Sequence, residues 1–301
     1  MDGLLIIDKP AGITSHDVVA RVRRALKTKR VGHTGTLDPF ATGVMVILVG
    51  KATRLAQFLD KDEKEYEAVA QFGSETDTGD VTGVRSAECG LRREDLLARL
   101  ESTDWDQTLS TFRGTIRQTP PMYSAKRVDG KKLYELARKG VEIERDAVEI
   151  SISKLEVIDT SFDTPGLTRR IRVACSAGTY IRTLAEDMGR EIGVGAHLTK
   201  LRRTRAGRFT IDQAVTLEEF QASPSPADHL RQMEEAVKHL PEFMLREDRV
   251  AKTMNGMSTR DLSGAFTDSQ QIRMTAPTGE LVAIGFYDDA EKVVQPKVVL
   301  G

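Results

Sequence analysis

The chain reads as an α+β protein, and three features of its 301 residues carry that reading. Strand-like and helix-like apolar patterns follow one another irregularly, without the regular strand–helix–strand cadence of a doubly wound parallel sheet. The longest apolar run, Val44 to Val49, is six residues long and rich in valine, the length and composition of a buried strand. From about residue 241 the pattern shifts to short strands punctuated by Pro277-Thr278-Gly279 and Asp288-Asp289. The chain therefore divides into a larger unit, residues 1–240, and a small β-rich second domain, residues 241–301.

In chain order, Gly3 to Asp8 is a strand ended by Lys9-Pro10-Ala11-Gly12. Thr14 with Asp17 three residues on forms a capping-box-like start. Val18, Val22, Ala25 and Leu26 give the following helix one apolar face. After the central loop and the Val44–Val49 strand, Ala52, Leu55, Ala56 and Leu59 suggest a short helix. Tyr66 to Phe72 alternates as a strand does, and Gly73 to Gly83 is a turn-rich loop holding Asp77 and Asp80. Leu91 to Leu100 is helical in pattern, and Pro120-Pro121 breaks the chain before a basic segment. Val148 to Ile158 and Thr168 to Cys175 are strands. Ser176-Ala177-Gly178 then turns the chain into Tyr180, Arg182 and a helix with Leu184, Met188 and Ile192 on one face. A strand through Leu198 and Leu201 follows. Ser223 to Asp228 has the composition of a linker, and Leu230, Met233 and Val237 fit an amphipathic helix. Ile272–Thr275, Leu281–Tyr287 and Val293–Val299 are the strands of the second domain.

No apolar run approaches the roughly 18 residues of a membrane span, and the first residues carry no signal-peptide pattern, so the cytoplasm is the expected location. Cys89 and Cys175 are far apart and lack a CxxC partner, which suggests buried thiols and neither a disulfide framework nor a zinc site. The net charge of -1 hides a segregated distribution. Arg21 to Arg30 holds six basic residues and no acid, Lys200 to Arg208 holds five, and Lys126, Arg127, Lys131 and Lys132 form a third patch. Such runs fit ordinary solvated faces, and equally a one-sided polyanion site.

The stretch Val31 to Gly50 sets His33 and Asp38 among Gly32, Gly35, Gly43 and Gly50, directly before the buried strand. A carboxylate and an imidazole thus share a constrained loop that enters the core, where chemistry is commonly placed. Taken alone, a glycine-rich connector with a turn-forming Asp fits equally well. A P-loop is excluded, because Met45 occupies its glycine position and Ala52 replaces the magnesium-binding hydroxyl. The histidines 16, 33, 197, 229 and 239 show no HExxH pairing, and there is no GxSxG elbow.

Together, GHTGTLDPFATG, the preceding KPAGITSHDVV, the later KEYEA, TDTGD, PPMYSA and GKKLYELARKG, and then GTYIRTLAEDMG and LTKLRRTRAGRF, closely resemble the TruB family of tRNA pseudouridine synthases. The resemblance runs in order from about Gly3 to Thr216, and residues 241–301 are similar to the family's small PUA-type RNA-binding domain. It implies a mixed, mainly antiparallel catalytic sheet with an RNA-gripping loop at about 119–145. The DPFATG form resembles the bacterial stand-alone branch, which implies tRNA, through its T-arm, as partner, a monomer, no guide RNA and no membrane. The implied reaction turns the uridine at T-loop position 55 into pseudouridine without cofactor or metal.

By this resemblance Asp38 is the nucleophile, Tyr66 stacks on the base, and Arg182 and Asp80 complete an ion network. His33 fills the space left by the extruded base, Tyr180 and Leu201 wall the pocket, and Lys9, Arg127 and Arg202 hold RNA. Read singly, Tyr66, Tyr180 and Leu201 fit core positions, Arg182 and Asp80 a surface pair, and His33 an ordinary loop histidine. Where the family usually has an apolar residue and then Lys after YSA, this chain has Lys126-Arg127. A tRNA-binding folding chaperone with an idle loop, or a synthase for another RNA, fits the same residues.

Overall fold

A computed structural model describes residues 1–124, 126–128, 130–137, 139–159, 167–261 and 263–300, apart from the side chains at 127, 128, 131 and 132. The described residues build a ten-stranded mixed sheet. Its main strands are β1 (Gly3–Lys9), β2 (Val31–Thr34), β3 (Thr42–Val49), β4 (Lys64–Phe72), β5 (Gly114–Gln118), β6 (Val148–Val157), β7 (Thr168–Cys175), β8 (Ala196–Ala206) and β9 (Val215–Thr216). The order is β9-β1-β3-β8-β4-β7-β6-β5, with β2 also on β3. Pairing is antiparallel except between β1 and β9 and between β3 and β8. The α+β class with a mainly antiparallel sheet is therefore observed.

Strand β3 is apolar at every position from Val44 because both faces of the sheet are covered there. Met45, Ile47 and Val49 join a core with Leu5, Ile7 and Val18, whereas Val44, Val46 and Leu48 join a second core with Leu4, Ile6 and Leu55. Helix α1 (Ser15–Ala25) covers the first face, starting at Thr14 in a complete capping box with Asp17. Burying six such side chains stabilises the fold by on the order of 10 kcal/mol at about 1.5–3 kcal/mol each. Gly43 at the strand's start has φ +104°, and a Cβ there would strike the Arg203 backbone. That glycine is required by close approach.

The second core also takes in Leu281, Ile284 and Leu300, so the C-terminal five-stranded sheet is packed on the main one. The expected strands are present as Gln271–Thr275, Leu281–Asp288 and Val293–Val299, joined by Glu242–Met244 and Thr259–Arg260. Two expectations are corrected. Residues 223–240 are neither a free linker nor an amphipathic helix but two short 3-10 turns, Pro226–His229 and Met233–Ala236. Leu4 and Arg231 exchange both backbone hydrogen bonds, and Ala236, Val237 and Leu240 sit in the second core. Anchoring at successive points favours tight turns over a continuous helix. Cys175 is buried as expected, but Cys89 is only half-buried.

Candidate active site

The loop between β2 and β3 carries Asp38, and its backbone is held from below by side chains that sequence inspection assigns to other tasks or passes over. Lys9, the last residue of β1, is fully buried and donates from Nζ to the carbonyls of Pro10 at 2.9 Å, Pro39 at 3.2 Å and Ala41 at 2.6 Å. Ser15 accepts from the Leu37 N–H at 2.9 Å and donates to the Leu37 carbonyl at 3.0 Å. Gly12 N–H reaches the Pro39 carbonyl, and Ala41 N–H closes a turn on the Asp38 carbonyl. The residues on both sides of Asp38 are thereby fixed, and its carboxylate is left 35% exposed.

Lys9 was expected against RNA. All three of its protons are spent on loop carbonyls and none of its surface is exposed, so it is a loop anchor and not a phosphate contact. Burial pulls its ammonium down to about 8, partly opposed by Asp38.

Arg182 enters from the first turn of α2 (Ile181–Ile192), two residues after the N-cap Tyr180. Its Nε lies 2.9 Å from Asp38 Oδ2, one Nη donates to the Thr78 carbonyl at 2.6 Å, and the other to the Tyr123 carbonyl at 2.7 Å. Asp80 Oδ2 stands 3.7 Å from the guanidinium, an ion-pair distance without a direct hydrogen bond. The other oxygen of Asp80 accepts from the Thr78 hydroxyl and from both the N–H and the hydroxyl of Thr82. One arginine therefore ties the Asp38 loop, the 78–82 turn and the segment entering the basic insertion. Burial raises the Asp38 carboxyl above its ordinary value, opposed by Arg182 and reinforced by Asp80.

Tyr66, Tyr180 and Leu201 line a cavity of about 240 Å³ together with Asp38, Arg182 and Arg203. Tyr66 comes from β4 and Leu201 from β8, where it pairs with Ala68. Burial raises the Tyr66 phenol, while Arg203 lowers it. Tyr180 is fixed through its peptide: its N–H donates to Gln118 Oε1 at 2.8 Å, and Gln118 Nε2 donates to its carbonyl at 3.1 Å. Gln118 is itself buried at the end of β5.

The sequence-derived residues thus divide. Asp38, Tyr66, Asp80, Tyr180, Arg182 and Leu201 come together. His33 does not line this cavity. It lies on β2 with its ring edge-on to His16 at 5.9 Å, and burial, with His16 next, pushes it down to about 4. The Arg127 side chain lies outside the described residues. Arg202 is already paired bidentately with Asp8, at 2.7 and 3.1 Å, which weakens the expectation that it is a free phosphate ligand. The Lys200–Arg208 run is likewise no single charged face: Arg205 pairs with Glu63 at 2.6 Å and Arg203 is buried. Strand alternation was the available signal, since it puts Leu201 and Arg203 on one face and Lys200 and Arg202 on the other.

Comparison with known proteins bears on what this arrangement does. Residues 23–181 match the model of the TruB family pseudouridylate synthase N-terminal domain, and residues 182–240 that of the tRNA pseudouridylate synthase B C-terminal domain. A protein of Heliobacterium modesticaldum named tRNA pseudouridine synthase B is 42% identical over 99% of this chain and 95% of its own. One of that name from Bacillus pumilus is 39% identical over 100% and 98%. Among solved structures, a Cbf5–Nop10–Gar1 complex is similar with TM-score 0.72 at 26% identity, covering 99% of this chain and 85% of that one. An H/ACA RNP bound to a substrate RNA containing 2′-deoxyuridine gives TM-score 0.70 at 25% identity, over 99% and 85%.

Proposed function

Because this chain belongs to the TruB family, and is therefore a pseudouridine synthase acting on tRNA, we propose that it isomerises the uridine at T-loop position 55, with Asp38 as nucleophile and without a cofactor. The observation that carries the assignment to Asp38 is its 2.9 Å ion pair with Arg182 at the mouth of the cavity that Tyr66, Tyr180 and Leu201 wall. A carboxylate beside C1′ stabilises or traps the sugar while the N1–C1′ bond breaks, as in retaining glycosidases. The uracil then turns and rejoins through C5. Substrate and product have the same composition, so the reaction calls for neither redox nor hydrolytic partner.

Base chemistry on a folded RNA requires the nucleotide to leave its stack. Tyr66 offers an aromatic surface to the extruded uracil, and Arg182 keeps Asp38 ionised against the desolvation that a seated base imposes. The exposed arginines of α1, Arg23 and Arg24, and the insertion at about 119–145 are the candidates for backbone contacts. In this reading residues 1–240 are catalytic and 241–301 add RNA affinity as a PUA-like unit. The enzyme works as a monomer in the cytoplasm, with no guide RNA, in keeping with the DPFATG form of its loop.

The test is pseudouridine mapping of unmodified tRNA transcripts incubated with the purified chain alone. The expected outcome is one modified uridine, in the T-loop, and none with Asp38→Asn, which retains tRNA binding. Turnover by the Asp38→Asn variant would remove the nucleophile assignment. Modification elsewhere, or only with an added guide RNA, would remove the substrate assignment.

A further inference from the structure

Arg203 is 1% exposed and heads the largest fully buried side chains, yet neither its family resemblance nor its place in a basic run assigns it a task. Among the described residues no carboxylate lies within ion-pair distance of it, and its charged neighbours include the cations Lys9 and Lys64. Burying a cation without a counter-ion costs several kcal/mol. A methionine would fill comparable volume without that cost, so packing does not account for an arginine here.

Its contacts are specific. Nε donates to the Val44 carbonyl at 2.7 Å and one Nη to the Gly35 carbonyl at 2.9 Å. These carbonyls stand before and after the loop that carries Asp38. Arg203 on β8 is also the direct cross-strand partner of Tyr66 on β4, both side chains line the cavity, and the guanidinium charge favours the ionised phenol. A guanidinium has donors and no acceptor. Beside this guanidinium the Tyr66 oxygen can act only as an acceptor, which leaves its own proton for the cavity that Asp38 also lines.

We propose that Arg203 is a positioning residue: one buried guanidinium fixes both ends of the Asp38 loop and orients the Tyr66 hydroxyl, so that the sugar-facing and base-facing groups are held as a single rigid unit. This rests on Tyr66 and Asp38 having the roles given above. The groups facing the phenol are Arg203 from β8, Asp38 from the loop and Cys175 from β7. The cation alone among them favours an ionised or strongly polarised oxygen.

The experiment is a double-mutant cycle of Arg203→Lys with Tyr66→Phe, read as single-turnover rate on a tRNA transcript, with tRNA affinity and thermal midpoint alongside. Lysine keeps the charge but presents it from one point, so it cannot serve both carbonyls and stand beside the phenol at once. Arg203→Lys is expected to slow both enzymes through the loop, and the tyrosine enzyme by at least about tenfold more than the phenylalanine enzyme. Equal losses in both backgrounds would reduce Arg203 to a loop anchor and overturn the coupling. Independently of turnover, the ionisation midpoint of Tyr66 is followed by 19F NMR in protein made with 3-fluorotyrosine, its resonance assigned by its loss in Tyr66→Phe. Arg203→Gln is expected to raise that midpoint, and an unchanged midpoint overturns the proposal. Should Arg203→Gln fail to fold, the lysine cycle decides. A wild-type chain that makes no pseudouridine would defeat the functional reading while the titration still reported on the pair.

Discussion

Replacing Arg182 by lysine separates the shape of the guanidinium from its charge. Its three nitrogens serve Asp38 Oδ2 at 2.9 Å, the Thr78 carbonyl at 2.6 Å and the Tyr123 carbonyl at 2.7 Å, with Asp80 at 3.7 Å. A lysine ammonium presents its protons from one point. If it stays on Asp38, at least one of the two carbonyls, which approach from different segments, loses its donor. A bond to a charged group is worth about 1.5–3 kcal/mol, and a stranded buried acceptor costs about 1–3 kcal/mol. With about 3–4 kcal/mol of this felt in the transition state, the single-turnover rate falls by roughly two to three orders of magnitude at about 1.4 kcal/mol per decade.

The assay is tritium release from C5-labelled uridine in a tRNA transcript, with enzyme in excess and affinity measured in parallel. Affinity is expected to stay within about threefold, because Arg182 is buried and contacts no backbone phosphate in this reading. Arg182→Met adds a test of sign. Burial raises the Asp38 carboxyl and Arg182 opposes that rise. Removing the cation lets the carboxyl climb further, so the acid limb of the pH–rate profile moves to higher pH in Arg182→Met and stays near its place in Arg182→Lys. A lysine variant with a near-wild-type rate would show that charge alone suffices. An unmoved acid limb in Arg182→Met would show that the ion pair does not set the ionisation of Asp38.

Two further outcomes are expected. Lys9→Met takes the Lys9 donor from the carbonyls of Pro10, Pro39 and Ala41 and leaves Pro39 with the Gly12 N–H alone; a loss of about 3 kcal/mol should lower the thermal midpoint by on the order of 5–10 °C. The salt dependence of tRNA affinity should not change, and a shallower salt slope would restore Lys9 as a phosphate contact. Glu186, beside Arg190, Glu75 and Asp187, is raised to about 7, chiefly by burial. A carboxyl raised in the folded state stabilises below its unfolded value near 4.5, and that contribution is lost as pH rises through about 7. Glu186→Gln should therefore gain stability relative to wild type between pH 5 and pH 8, by up to about 3 kcal/mol. Equal differences in thermal midpoint at the two pH values would refute this.

Much of the fold was legible because binary patterns survive in sequence. Tyr66, Ala68, Ala70 and Phe72 alternate as read and are buried on β4. The Thr14–Asp17 capping box starts α1 where its residues place it. The valine-rich run is a strand covered on both faces. Strand β5 and residues 223–240 were missed or misread because their conformation is set by contacts distant in the chain. Gly114–Gln118 is exposed over most of its length and becomes a strand by pairing with β6. The 223–240 segment is strapped to β1 through Arg231 and to the C-terminal sheet through Glu234, whose carboxylate accepts from the Leu281 N–H.

The site was legible in its carboxylates and less so in its cations, for a physical reason. A carboxylate on a glycine-rich loop announces itself through the backbone constraint around it. A lysine or arginine carries a long apolar stem, and sequence does not say whether its head reaches water or turns inward. Lys9, Arg182 and Arg203 all turn inward, and they share a feature that a surface patch lacks: each donates mainly to backbone carbonyls of the loops that carry the site. A loop whose carbonyls are held by buried cations does not relax when the seating of a base removes water. The same cations oppose the desolvation that would otherwise protonate Asp38, which Lys9 and Arg182 both lower. The basic residues buried under this loop therefore serve its shape and its charge at once, which leaves the exposed arginines of α1 and the insertion as the proposed polyanion contacts.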